Sequence, residues 1–241
     1  MNGTIVGISG GDLSSTSPLN EYVINLSKKK HPHILFIPTA SYDAKEYIDN
    51  IRTYYAKYQC TISTLCVISQ TYSSAEIDSL FNNADIIYVG GGDTEELLKK
   101  WYEFNIDKAI QKAYKNGKIL TGISAGTIIW FQYGFSDSDF FKNPDNWNYK
   151  FIKGMGKLPY AFCPHYNEEG RNAFDQKLTE LQLDGIALEN DTAIVINNNT
   201  ISIRKARKTA KSFLIKKCEF GYKKIELTDE ICKYALKIND I

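Results

Sequence analysis

Through the first two thirds of the chain, short unbroken apolar runs alternate with stretches whose apolar residues recur every three or four positions. Thr4–Ser9 (TIVGIS), His33–Pro38 (HILFIP), Thr61–Ile68, Ala84–Val89 (ADIIYV) and Lys118–Ile123 (KILTGI) read as strands. Continuous apolar runs of this length suit strands covered on both faces. Between them, Leu19–Lys29, Ala44–Tyr58, Ser74–Phe81 and Thr94–Ala113 have helical spacing, the last with a break near Phe104–Asn105. The alternation predicts an α/β fold: a doubly wound, mostly parallel sheet flanked by helices.

Beyond Ile123 the pattern loosens. An apolar helical run, Thr127–Phe131, leads into Gly134–Leu158, which has no clean period and reads as a long loop. Tyr160–Cys163 suggests a short strand and Glu168–Leu181 a helix. Ala193–Ile196, Thr200–Ile203 and Ser212–Lys216 suggest strands, with Asn197–Asn199 as the turn of a hairpin. Thr228–Ile238 reads as a closing helix with Thr228 as its N-cap. A small antiparallel C-terminal extension is therefore expected on the parallel sheet. No linker or repeat interrupts the 241 residues, so one domain over 1–241 is expected.

Composition narrows the class. Twenty-nine Lys and Arg against 28 Asp and Glu give a net charge of +1, and 43% of residues are hydrophobic. This balance argues against a nucleic-acid or membrane-surface partner. No apolar run reaches the roughly 20 residues that span a bilayer, and the N-terminus has no signal-peptide pattern, so a cytoplasmic location is expected. Five cysteines occur without a CxxC pair, which reads as free thiols rather than a metal or redox site.

The sharpest chemical signal is Gly122-Ile123-Ser124-Ala125-Gly126, between the KILTGI strand and the next apolar run. A G-x-S-x-G in that position is a nucleophile elbow, with the serine at the tip of a tight turn above the sheet edge. A serine needs a base, and the chain has three histidines. His31 and His33 bracket Pro32 at the amino end of a strand, away from where open α/β sheets place their sites. His165, in FCPHY, follows a short apolar stretch and belongs at the same sheet edge as Ser124. The orienting acid is open among Glu189, Asp191, Asp137 and Asp139. Gly90-Gly91-Gly92-Asp93-Thr94 follows ADIIYV and brings backbone N–H groups to that edge. Its spacing fits neither a P-loop nor a dinucleotide fingerprint. Gly10-Gly11-Asp12 reads as a tight chain reversal.

Taken together, IIYVGGGDT, TGISAGT, FCPHYN and ALENDTAIVI, with PTAS at Pro38–Ser41, resemble peptidase family S51, typified by dipeptidase E and including the cyanophycinases. The resemblance runs from about Gly3 to Ile203. It implies a class I glutamine amidotransferase-like fold with serine at the elbow, and a serine peptidase often acting on aspartyl peptides. By it Ser124 is the nucleophile, His165 the base and Glu189 the acid that carries over best. Gly91, Gly92 and Ala125 would supply the oxyanion amides, and Asp93, Thr94 and Arg171 would be substrate-binding. No metal or organic cofactor is implied. The expected partner is a small peptide substrate, with no nucleic acid and no membrane, and the protein as monomer or homodimer.

Two other functions fit the same residues: a non-catalytic amidotransferase-like binding module, and a hydrolase of a non-peptide amide or ester or of a branched Asp polymer. Between Arg204 and Lys224 there are nine basic residues and one acid, Glu219. That run reads as a solvated sheet edge guarded by lysines.

Overall fold

The computed structural model describes residues 2–198, 200–219 and 221–239. Its elements follow the apolar pattern. In the first half they are β1 (Thr4–Ile8), α1 (Ser17–Leu26), β2 (His33–Ile37), α2 (Lys45–Ala56), β3 (Thr61–Thr64), α3 (Ser74–Asn83), β4 (Ile86–Val89), α4 (Thr94–Glu103), α5 (Ile106–Lys115) and β5 (Ile119–Ile123). The break in the long helical stretch falls at Asn105, which takes a left-handed conformation (φ 55°) between α4 and α5. Asparagine tolerates that conformation better than most residues.

The second half differs from the sequence expectation. The helix after the elbow, α6 (Ala125–Ile128), has only four residues, and the chain at once becomes β6 (Phe131–Ser136). The region expected to be one long loop therefore begins in a strand and contains another, β7 (Lys150–Lys153). β8 (Leu158–Cys163), α7 (Ala173–Leu181) and β9 (Gly185–Leu188) follow. The helix expected from Glu168 thus starts five residues later, because Tyr166–Asn172 fold into turns beside the site. β10 (Thr192–Asn197), β11 (Thr200–Lys205), β12 (Ser212–Cys218), β13 (Gly221–Glu226) and α8 (Asp229–Ala235) complete the chain. Asn199 of the expected hairpin turn lies outside the described residues. Thr228 caps α8, its hydroxyl accepting from the Ile231 N–H at 3.2 Å.

The strands form two sheets rather than one. The first has seven, in the order β11-β10-β1-β5-β4-β2-β3, parallel except for β10 and β11. The second has six, in the order β13-β12-β9-β8-β6-β7, with β6, β8 and β9 parallel. The expected antiparallel extension is thus shared, one hairpin on each sheet. The basic run falls on the carboxyl end of β11, the 206–211 loop and β12–β13, and β11 and β13 are edge strands.

Strand alternation sorts side chains to the two faces of the first sheet. Val6, Ile8, Ile34 and Phe36 pack toward Leu19 and Val23 of α1 and Ile51 and Tyr55 of α2. Ile5, Leu35, Ile37, Ile87 and Val89 pack the other way, against Ile77, Leu97, Trp101 and Ile110, and through Ile128 to Phe162, Ile186 and Leu214 of the second sheet. The far face of the second sheet is covered by Phe174 and Leu178 of α7. Among the described residues the five cysteines are free, and no helix is long and apolar enough to cross a membrane.

Candidate active site

The candidate residues lie at the carboxyl ends of strands from both sheets, Ser124 after β5 and His165 after β8. Ser124 follows β5 at φ 53° and ψ −111°, a conformation that non-glycine residues rarely adopt. The surrounding glycines make this turn possible by close approach. A Cβ on Gly122 would lie 2.3 Å from the Gly126 carbonyl oxygen, and one on Gly126 would lie 2.3 Å from that of Val89. The turn is pinned from below: the Ser124 N–H donates to the Ile8 carbonyl at 3.0 Å, and the Thr127 hydroxyl contacts the Ile8 and Gly122 carbonyls.

His165 follows β8 of the other sheet, itself at φ 55°. Its N–H donates to the Ser9 hydroxyl at 3.0 Å, and that hydroxyl donates to the Leu188 carbonyl at 2.6 Å. Ser9, fully buried at the end of β1, therefore ties the first sheet to β9 and to the histidine. Its role had no signal in the sequence. In this setting His165 Nε2 lies 2.8 Å from Ser124 Oγ.

The other ring nitrogen meets residues outside the expected acids. His165 Nδ1 is 2.8 Å from Asn190 Oδ1 and 3.2 Å from Glu168 Oε1. Asn190 Nδ2 in turn donates to Glu168 Oε1 at 2.9 Å, and the Asn190 N–H donates to Asn167 Oδ1 at 2.7 Å. The hydrogen bond with His165 pulls the Glu168 carboxyl down to about 2. Partial burial acts against that shift, while Asn190 and the charges of His165 and Arg171 reinforce it.

Glu189 is not at the histidine. Its carboxylate accepts from the Lys211 N–H at 2.8 Å. Asp191 pairs with Arg207 Nε at 3.2 Å, and Asp139 with Lys150 at 2.7 Å. Asp137 faces the cavity but is held by Arg171 Nη2 at 3.0 Å. Arg171 itself is buried. Its guanidinium also donates to the Phe135 carbonyl at 2.9 Å and sits over the Tyr149 ring. This arginine holds the second sheet to the loop after β6 and is not presented to the cavity, contrary to the substrate-binding expectation. Asp93 and Thr94 are likewise buried. Asp93 caps α4, accepting from the Glu95 and Glu96 N–H groups and the Tyr42 hydroxyl, and Thr94 Oγ1 accepts from Ser136. Neither lines the cavity.

Ser124 and His165 open onto a cavity of about 310 Å³, also lined by Gly91, Gly92, Tyr47, Asp137 and Phe141. Gly91 is close to the elbow, since a Cβ added there would be 3.3 Å from that of Ser124. Ala125 is the first residue of α6, so its N–H has no partner within the helix. Of the loop after β6, the residues at the cavity are Asp137 and Phe141, not the Pro144–Phe151 stretch. No group of three or more His, Cys, Asp or Glu side chains suited to a metal occurs among the described residues.

This is the site of an α/β protein with its serine on a strand-to-helix elbow, and comparison with known proteins places it among the peptidases. Residues 5–204 match the model of Peptidase family S51. The chain is 34% identical to the uncharacterized peptidase YgaJ of Bacillus subtilis (strain 168), over 92% of this chain and 96% of the relative. It is 28% identical to Peptidase E of Haemophilus influenzae over 48% of this chain and 51% of that one. Among solved structures, a peptidase from an acI-B1 Actinobacterium superposes with a TM-score of 0.70 at 19% identity, covering 95% of both chains. A putative Peptidase E protein from Listeria monocytogenes EGD-e gives 0.65 at 22% identity, covering 85% of this chain and 99% of that one. These two show the shared fold. The chain belongs to Peptidase family S51.

Proposed function

We propose that the protein is a serine peptidase that hydrolyses short peptides through an acyl-enzyme. The observation that carries this reading is the 2.8 Å approach of His165 Nε2 to Ser124 Oγ on a strained elbow. Ser124 Oγ attacks the scissile carbonyl carbon as its proton passes to Nε2. The resulting oxyanion is met by the amide of Ala125 and those of the Gly91–Gly92 turn. Nε2 then protonates the leaving amine, and water, activated by the same nitrogen, releases the acyl group from Oγ. Asn190 Oδ1 accepts from Nδ1–H and fixes the tautomer, and the Glu168 carboxylate behind it balances the imidazolium charge. Glu168, acting with and through Asn190, thus takes the part that the sequence resemblance assigned to Glu189.

The cavity favours short peptides without a requirement for an aspartyl residue. Among the described residues lining it there is one carboxylate, Asp137, and no lysine or arginine to meet a substrate carboxylate.

The test is intact mass after incubation with a fluorophosphonate, together with turnover of a short-peptide panel. Wild type should gain one adduct and cleave peptides, while Ser124→Ala and His165→Ala should do neither. A wild-type protein that stays unlabelled and inactive would overturn the reading in favour of a binding module.

A further inference from the structure

The cavity at Ser124 adjoins a second hollow. Gly11, Tyr47 and Ile123 line both, and the second is about 710 Å³, more than twice the size of the first. One bank of this hollow is the Asp12–Ser17 turn before α1. The other is α2, and Tyr88 of β4 lies at its base. The catalytic cavity alone is near the lower limit of the roughly 300–1,000 Å³ typical of ligand sites.

Tyrosine is the commonest residue lining the second hollow, alongside polar side chains such as Ser14, Ser17, Asn50 and Thr53. Tyr47, Tyr54, Tyr58 and Tyr88 all contribute. The Tyr54 and Tyr58 hydroxyls are committed to the walls. Tyr54 donates to the Ser17 hydroxyl at 3.1 Å, Tyr58 is 3.1 Å from the same oxygen, and Tyr58 donates to Glu21 at 2.9 Å. The Tyr88 hydroxyl lies near that of Tyr47. The rings brace one another too, with Tyr54 and Tyr58 centroids 5.5 Å apart and Tyr47 edge-on to Phe36 at 5.2 Å. With the Tyr54 and Tyr58 hydroxyls paired and the rings braced, the half-buried Tyr47 and Tyr58 offer aromatic surface at little ordering cost. Such surface suits an apolar or aromatic side chain and the flat face of a peptide unit.

Resting on the peptidase reading above, we infer that this tyrosine-walled hollow is an extended substrate subsite: the protein takes oligopeptides of three or more residues and seats an aromatic side chain, next to the unit held at Ser124, against Tyr47 and Tyr58, the half-buried tyrosines of its wall. The occupant follows from the hollow's adjacency to Ser124, through the shared Gly11, Tyr47 and Ile123, and from a wall with a single acid and a single base. Lys57 and Asp12 are exposed at the rim.

The test separates binding from turnover. Ser124→Gly removes the nucleophile and suits the positive φ at that position. In this background, Kd is measured by titration calorimetry for Asp-Ala, for Phe-Ala-Asp-Ala and for Asp-Ala-Phe-Ala, so that either flank of the scissile bond is sampled. One phenylalanine peptide should bind at least tenfold more tightly than the dipeptide. Thr53→Trp, on the exposed bank of α2, fills the hollow and should return that Kd to the dipeptide value; Asn50→Trp, one turn earlier, should repeat the effect. Equal Kd for all three peptides, or no response to either tryptophan, would overturn the subsite. Tight, tryptophan-sensitive binding in a protein whose wild type takes no fluorophosphonate and cleaves nothing would keep the subsite and overturn the peptidase reading instead.

Discussion

Gly10 lies against the imidazole of His165 so closely that a Cβ there would be 2.2 Å from Nδ1 and 2.3 Å from Cε1. The same atom would be 2.2 Å from Asn190 Oδ1. The glycine turn after β1 is therefore part of the wall that sets the histidine's position. A Gly10→Ala variant must push the ring or Asn190 aside. Overpacking of this kind costs about 1–3 kcal/mol, and a misplacement of about 1 Å can lower turnover about 100-fold. Peptide turnover should fall by that order while thermal melting shows a cooperative fold with a modestly lower midpoint.

The two carboxylates on either side of Asn190 should separate cleanly. Glu168→Gln removes the charge behind the histidine and should lower kcat by about 10–100-fold, the range of a charge-assisted hydrogen bond worth about 1.5–3 kcal/mol. Asn190→Ala should cost as much. Glu189→Gln, whose side chain meets the Lys211 N–H, should leave kcat within about twofold of wild type, since surface changes usually shift energies by about 0.5 kcal/mol or less. Steady-state kinetics of the three variants decides it, and a loss confined to Glu189→Gln would reverse the assignment.

Glu168 also carries a pH signature. Its carboxyl is lowered in the folded protein from 4.5 to about 2, so the native state holds fewer protons than the unfolded one between those values. The ionised carboxylate therefore stabilises the fold fully above about pH 4.5, and that contribution fades as pH falls toward about 2. The difference in melting temperature between wild type and Glu168→Gln should shrink over that window. Because Glu168 stays ionised down to its low value, any acid limb of activity above pH 4.5 belongs to another group. An unchanging difference in melting temperature from pH 6 down to about pH 2 would contradict this.

Arg171 should behave as a structural residue. Arg171→Met strands the Asp137 carboxylate and the Phe135 carbonyl. Breaking a buried pair costs about 3–5 kcal/mol, and about 2–3 kcal/mol is expected here because the Asp137 side chain is 35% exposed. Urea unfolding should show that loss. A variant as stable as wild type that lost only its affinity for aspartyl peptides would restore the substrate-binding role.

Much of the fold was legible because the first five strands are buried on both faces and their helices are amphipathic. The break at Asn105 was legible for a similar local reason. What failed was periodicity over short runs. TIIWF after the elbow is apolar at every position but the first, and so few residues cannot distinguish a buried helix from a strand entry. β7 and β13 are mostly half-exposed or exposed and carry lysines, so neither has an apolar signature. The serine and histidine could be placed because both follow apolar strands. The neighbours of His165 Nδ1 could not, because two adjacent residues just after β9 send their side chains to different partners: Asn190 to His165 and Glu189 to Lys211. Glu168 sits in a turn whose path back to the ring depends on Asn167 and Asn190, a tertiary arrangement that no local pattern encodes.

Ser124 is carried by β5 of the seven-stranded sheet and His165 by β8 of the six-stranded one. On the proposed mechanism this pair is a vernier between two separately hydrogen-bonded layers, and its spacing reads their mutual registration. A slip too small to break either ladder would still carry Oγ out of reach of the imidazole. Under mild heat or urea, turnover should fade while the far-ultraviolet signature of the strands is intact, because the seam loses its alignment before the layers lose their order.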